Sequence, residues 1–261
     1  MSNVIPLKAP CPKASYDQQC TVLIGNFSQH RRVQGDVFWL KENAELLNIL
    51  ECTGVQLAED QMVPMVGFYN QIEDQIYFFQ QYYRFILSIC LDLEDLGLPG
   101  HKAESVANWV AQEGLAEAEL SDLQRAEAHR LMMRRGVTGV QGTEALDQRL
   151  RSFINRSETF ALPNRKAAYE LSHIVFYLSE YGRLDPQLDQ NALLSLEYAG
   201  LLAYLDQNSD LLAEICIALH YAGSPPPSQW LAWLQRQAEG FVLAGTDHGQ
   251  AMDAYHDYFV C

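Results

Sequence analysis

Residues 36–54 read DVFWLKENAELLNILECTG. Val37, Leu40, Leu47 and Leu50 recur at the three-and-four spacing of one helix face, so the segment predicts an amphipathic helix and not a strand. Asp36 suits the N-cap, because its carboxylate can accept from the unpaired amides of the first turn. Gly54 suits the left-handed residue that closes a helix.

The same grammar repeats toward higher numbers. Residues 60–96 predict one or two helices, with Pro64 in a first turn and Gly97 and Pro99 as the stop. Val66, Tyr69, Ile72 and Ile76 lead there into FFQQYYRFILSICLDLEDL. Its aromatic run, Tyr77, Phe78, Phe79, Tyr82, Tyr83 and Phe85, is expected to pack in the core. Further helices are expected near 102–112, 116–134, 144–156, 164–181, 189–207, 210–222, 227–243 and 248–260, with Ser121 and Thr143 as N-caps. Gly114, Gly136, Pro163, Gly182, Gly223 with Pro225–Pro227, and Gly245 separate them. No segment alternates with a period of two, so no sheet is expected. Short connections imply antiparallel neighbours. The expected fold is all-α: a flexible lead-in over 1–35, punctuated by Pro6, Pro10, Pro12 and Gly35, then one domain over 36–261. That domain would hold about ten helices as a bundle or helical-hairpin array.

Composition narrows the function classes. Of 261 residues, 48% are hydrophobic and 20% charged, which is globular and not disordered. Six scattered cysteines without a C-x-x-C pair argue against a disulfide framework. The opening MSNVIPLKAPCPKAS has no continuous apolar core, so no secretory signal is expected. The uncharged stretch Ile215–Gln235 is broken by Gly223 and three prolines, so it cannot span a membrane as one helix. A cytoplasmic protein is expected. The net charge of −15 disfavours a general nucleic-acid binder.

The charge is unevenly spread. Nine of the eighteen basic residues fall between Arg125 and Lys166, whereas Arg236 alone opposes ten acids from Asp185 onward. The basic stretch either docks on the acidic C-terminal part, forms solvated faces, or presents Arg130, Arg134, Arg135, Arg149 and Arg151 to an anion or a protein partner.

LKENAELLNILECTG (40–54) and YELSHIVFYLSEYGR (169–183) resemble an uncharacterised bacterial all-α family. The resemblance implies a helical fold over most of the chain and carries no activity.

Chemistry is sought where ionisable groups interrupt apolar helices, because a lone buried charge is costly unless paired, hydrogen-bonded or metal-bound. AAYELSHIVFYLS holds Glu170 and His173, NALLSLEYAGLLAYL holds only Glu197, and the next helix holds Glu214 and His220. Glu170-x-x-His173 and Asp253-x-x-His256 each set a carboxylate and an imidazole three apart, as in carboxylate-bridged metal bundles. The expectation is a pocket for a small molecule or a divalent metal (Fe, Zn or Mn). It would be built from Glu170, His173, Glu197, Asp253 and His256, with Glu214 or His220 assisting and Tyr177, Tyr198 and Tyr255 as hydrogen-bonding partners. Such a pocket could serve an enzyme. The alternative is a non-enzymatic interaction module working through the basic surface at 125–166.

A separate constellation, Asp206, Asp210 and Glu214 at i, i+4 and i+8 with Asp92, Glu94 and Asp95 in DLED, loosely resembles the paired acidic motifs of all-α isoprenoid synthases. Those motifs imply Mg²⁺–diphosphate binding. Asn208-Ser209 reads instead as a helix break, and DLED as a solvated helix end.

Overall fold

The computed structural model describes residues 16–241 and 255–261. Helix begins well before Asp36: α1 (Tyr16–Gly25) runs into a widened π turn, Asn26–His30. Residues 16–30 of the lead-in are therefore helical. Cys20, Leu23, Ile24 and Phe27, at i, i+3, i+4 and i+7, are all buried, which makes one apolar stripe. The π turn leaves carbonyls unpaired along its axis, and the next helix, α2 (Val37–Cys52), supplies their donors. Trp39 Nε1 donates to the Ser28 carbonyl and Asn43 Nδ2 to the Phe27 carbonyl, each at 2.9 Å. The predicted caps of α2 are present: Asp36 accepts the Trp39 amide at 2.8 Å, and Gly54 adopts φ +72°.

Residues 59–95 break into more pieces than expected: α3 (Glu59–Asn70), α4 (Ile72–Phe78), a 3-10 turn (Gln80–Tyr82) and α5 (Tyr83–Asp95). Gln61 accepts the Ala58 amide at 2.8 Å and starts α3 early, so Pro64 lies inside this helix and not in its first turn. The aromatic run divides. Tyr83 is buried, whereas Tyr77 and Phe78 at the end of α4 are 66% and 79% exposed.

The remaining helices are α6 (Lys102–Gln112), α7 (Asp122–Met133), α8 (Thr143–Ile154), α9 (Ser157–Phe160), α10 (Arg165–Leu178), α11 (Gln190–Leu205), α12 (Ser209–Tyr221), α13 (Ser228–Ala238) and α14 (Tyr255–Val260). Ser121 caps α7 as predicted. Gly142, in the left-handed region, takes the capping place before α8 that was expected for Thr143. The fold is all-α: no strand occurs among the described residues, and a single buried core runs through the helices. None of the described helices is long and apolar enough to cross a membrane.

Two packings matter for the site. α2 lies along α5 in the first half; in the second, α12 is wrapped by α10, α11, α13 and α14. Leu211–Cys216, Ala218 and Leu219 are consequently all buried. Any titratable side chain on that stretch of α12 must find its partners inside the protein.

Close approach is visible at Gly200 of α11. A Cβ there would fall 2.4 Å from the Trp230 ring and 3.0 Å from Ile215 Cγ2. Gly200→Ala should therefore lower stability by about 1–3 kcal/mol despite alanine's better helix propensity, since overpacking outweighs the propensity gain. A urea titration followed by circular dichroism measures this.

Candidate functional site

α12 starts at a cap. Asn208 Oδ1 accepts the Leu211 amide at 3.2 Å, ending the preceding turn and opening a new helix at Ser209. This break removes Asp206 from the face of its neighbours, so the three acids do not act as one motif. Asp210 and Glu214 remain, one turn apart on one face. Glu214 points inward, with 2% of its side chain exposed.

Two helices converge on these two carboxylates. From α10, His173 Nε2 lies 3.7 Å from Glu214 Oε1. From α14, His256 Nε2 lies 4.0 Å from the same oxygen, and His256 Nδ1 makes a close hydrogen bond with Asp210 Oδ1. Ligand atoms of Asp210, Glu214 and His256 all lie within 4.8 Å of one another. Two hydroxyls of α10 complete the shell: Tyr169 donates to Asp210 Oδ2 at 2.6 Å and Ser172 to Glu214 Oε2 at 2.5 Å.

α14 is fixed from several sides. Tyr255 donates to Glu45 of α2 at 2.8 Å, and Ser209 donates to Asp257. Phe27 meets Tyr255 and Phe259 with ring centroids 5.7 and 5.1 Å apart. The site thus joins Phe27 and α2 to α14.

The electrostatics follow from these contacts. Burial opposes protonation of His256, but the hydrogen bond and charge of Asp210 outweigh it and push the imidazole up to about 9. His173 is likewise raised, burial being outweighed by the hydrogen bond and charge of Glu214. Burial would raise Asp210, yet His256 and Tyr169 hold its carboxyl below the usual range. Burial, together with Asp210, pushes the Tyr169 hydroxyl up, so it is a donor at neutral pH.

The structure sorts the predicted residues unevenly. His173, Glu214 and His256 come together. Glu170 does not join them: it faces a cleft of about 290 Å³ with Ser121, Arg149, Ser152 and Arg156, 3.9 Å from Lys166. Three-residue spacing makes Glu170 and His173 neighbours, but Glu170 sits on the flank of α10 that meets α7 and α8, while His173 reaches α12. Glu197 is exposed on α11, and His220 is exposed near the end of α12. Asp253 lies outside the described residues. Tyr177 stacks on the His173 ring at 6.1 Å, Tyr255 bonds Glu45, and Tyr198 is half-buried on α11. Asp210 and Ser172 were missed as members of this cluster. One signal was available: Tyr169, Ser172 and His173 share a face of α10 at i, i+3 and i+4.

The basic stretch is largely engaged within the chain, but its arginines at 130–151 pair with acids that precede Asp185 and not with the acidic C-terminal part. Arg134 pairs with Asp92 and Asp95 at 2.7 and 2.6 Å, and Arg135 pairs with Glu94 and Asp95 at 3.2 and 2.8 Å. Arg130 lies 2.9 Å from Glu180 and under the Tyr181 ring. Arg149 pairs with Asp122, and Arg151 with Asp147. DLED is therefore not a solvated helix end: Asp92 is fully buried, and Arg134 and Arg135 of the turn after α7 cover the motif. These are also the residues expected to face a partner, and intramolecular pairing leaves the buried Arg130 and the 9%-exposed side chain of Arg134 little surface to offer.

No curated protein and no solved structure is detectably similar to the chain. Its whole length, residues 1–261, matches one family, and the chain belongs to it: Domain of unknown function (DUF6902).

Proposed function

We propose that this chain is a divalent-metal-binding protein whose centre is formed by His173, Asp210, Glu214 and His256. The observation that carries the reading is the convergence of two imidazoles from α10 and α14 on the buried oxygen Glu214 Oε1, with Asp210 bonded to one of them from the same face of α12. Donors around a four-coordinate cation stand about 3–3.5 Å apart; the ligand atoms of Asp210, Glu214 and His256 already lie within 4.8 Å of one another, and His173, 3.7 Å from Glu214, would swing in as the fourth donor. Mixed imidazole and carboxylate donors suit zinc, iron or manganese. His173 and His256 stay 38% and 29% exposed, which leaves one side of a bound cation open to water or a small molecule. An open coordination position is what a metal-dependent enzyme needs.

Metal ligation requires neutral imidazole, and both histidines hold protons more firmly than usual. Uptake should therefore release protons. The test is calorimetric titration of chelator-stripped protein, made without a metal-affinity tag, with Zn²⁺ at pH 7. The expected result is about one equivalent bound with Kd below ~1 µM and roughly one to two protons released. No saturable binding overturns the reading.

A second reading is favoured by the close His256–Asp210 bond: the same groups form a self-neutralising latch that docks α14. Its signature is in the metal-free protein. His256 faces Asp210 and Glu214 from α12, Glu45 from α2 and His173 from α10. Its folded-state value, about 9, lies above the ordinary 6.5. A raised value means that the stabilisation is complete below about pH 6.5 and is lost as pH rises through about 9. Metal-free protein should lose on the order of 1–3 kcal/mol between pH 6 and 9.5, and His256→Gln should flatten that slope. Urea midpoints across this range measure it.

A further inference from the structure

We infer that Tyr169 and Ser172 are positioning residues that hold Asp210 and Glu214 as one-oxygen ligands, tuning the centre to a small cation that accepts nitrogen, such as Zn²⁺, over Ca²⁺. The inference deepens the metal reading and rests on it. Each carboxylate has one oxygen occupied from α10. Tyr169 takes Asp210 Oδ2 at 2.6 Å, and Ser172 takes Glu214 Oε2 at 2.5 Å. The oxygens left over, Asp210 Oδ1 and Glu214 Oε1, are the two that face the imidazoles.

Turning either carboxylate to offer both oxygens would break a hydroxyl bond in a water-poor setting. Ser172 is fully buried and Glu214 nearly so. The Ser172 hydroxyl has one proton and two acceptors in reach, Glu214 Oε2 and the Tyr169 carbonyl at 3.0 Å. The charged oxygen is the stronger acceptor, so the proton goes to the carboxylate. The donor set is then two oxygens and two nitrogens. Ca²⁺ seeks six to eight oxygens, often through bidentate carboxylates, whereas Zn²⁺ is satisfied by four mixed donors. Hydroxyl partners behind metal ligands typically change affinity about 10–100-fold when removed.

The experiment compares chelator-stripped wild type, Tyr169→Phe and Ser172→Ala. It uses Zn²⁺ and Ca²⁺ affinities from chelator competition and the visible absorption of the Co²⁺-loaded proteins. Circular dichroism confirms folding. Wild type should bind Zn²⁺ at least ~1,000-fold more tightly than Ca²⁺. Each variant should keep one site, weaken Zn²⁺ about 10–100-fold and shift the Co²⁺ bands. Folded variants with wild-type Zn²⁺ affinity and unchanged Co²⁺ bands, beside a wild type that binds one Zn²⁺, overturn the positioning role and leave the metal reading intact. A wild type that prefers Ca²⁺ overturns the selectivity. A wild type that binds neither ion removes the metal reading and this inference with it.

Discussion

Glu214→Gln is expected to weaken Zn²⁺ binding by ~100-fold or more while the helical fold is kept. Glutamine preserves the shape and can still accept from Ser172, so packing around α12 changes little. What disappears is the anionic oxygen 3.7 and 4.0 Å from the two imidazole nitrogens. A neutral amide cannot offset a divalent charge in a buried setting, and losing a direct ligand should exceed the ~10–100-fold loss typical of an outer partner. Thermal melts give a second readout. A cation at a hundred times Kd stabilises the native state by about 2.7 kcal/mol, so wild type should melt higher with Zn²⁺ and the variant should not. If chelator-stripped wild type and Glu214→Gln melt identically with and without Zn²⁺, the four groups are a latch and not a centre.

The second large effect lies in the other half of the molecule. Arg134→Met should destabilise the protein by about 3–5 kcal/mol. Arg134 reaches from the end of α7 to Asp92 and Asp95 of α5 at 2.7 and 2.6 Å. Asp92 has no exposure, and beyond this guanidinium its nearest donor is the Ser88 hydroxyl at 3.0 Å. Removing the guanidinium strands a carboxylate away from water. The pair itself contributes far less than its rupture costs, because both ions were desolvated to form it. The double variant Arg134→Met with Asp92→Leu should therefore recover most of the loss. Urea midpoints of the two single variants and the double variant complete the cycle. A loss under about 1 kcal/mol in Arg134→Met would show that α5 and α7 are held by their apolar contacts alone. Charge reversal at Arg134, the natural probe of a partner surface, would report on this internal seam instead.

The helices were legible because their punctuation is local. Asp36, Ser121 and Asn208 cap, and Gly54 turns, from information within a few residues. α1 was also legible in its Cys20, Leu23, Ile24 and Phe27 stripe, but the prolines just ahead of it invited a loop reading. Within the site, His173, Glu214 and His256 could be singled out as ionisable groups in apolar helices. Glu170 and Glu197 could not be told apart from them, since spacing fixes which residues are neighbours on a helix but not which flank meets another helix. Asp210 was seen in a run of acids, and only the break at Asn208 separates it from Asp206. Asp92 and Arg134 lie far apart in the chain, and nothing local in either segment names its partner.

The bond from Tyr255 to Glu45 spans 210 positions, while Asp210 and Glu214 sit one turn apart. Pieces so unequal in reach do not form together. Local hairpins such as α11–α12 close early, and contacts across the whole chain come last because loop closure must precede them. This order predicts that the His256 side of the cluster is absent from the rate-limiting barrier, which refolding rates of wild type and His256→Gln would check. A cation bound there would leave the refolding rate unchanged and act as a brake on unfolding, giving the protein a longer native lifetime without faster folding.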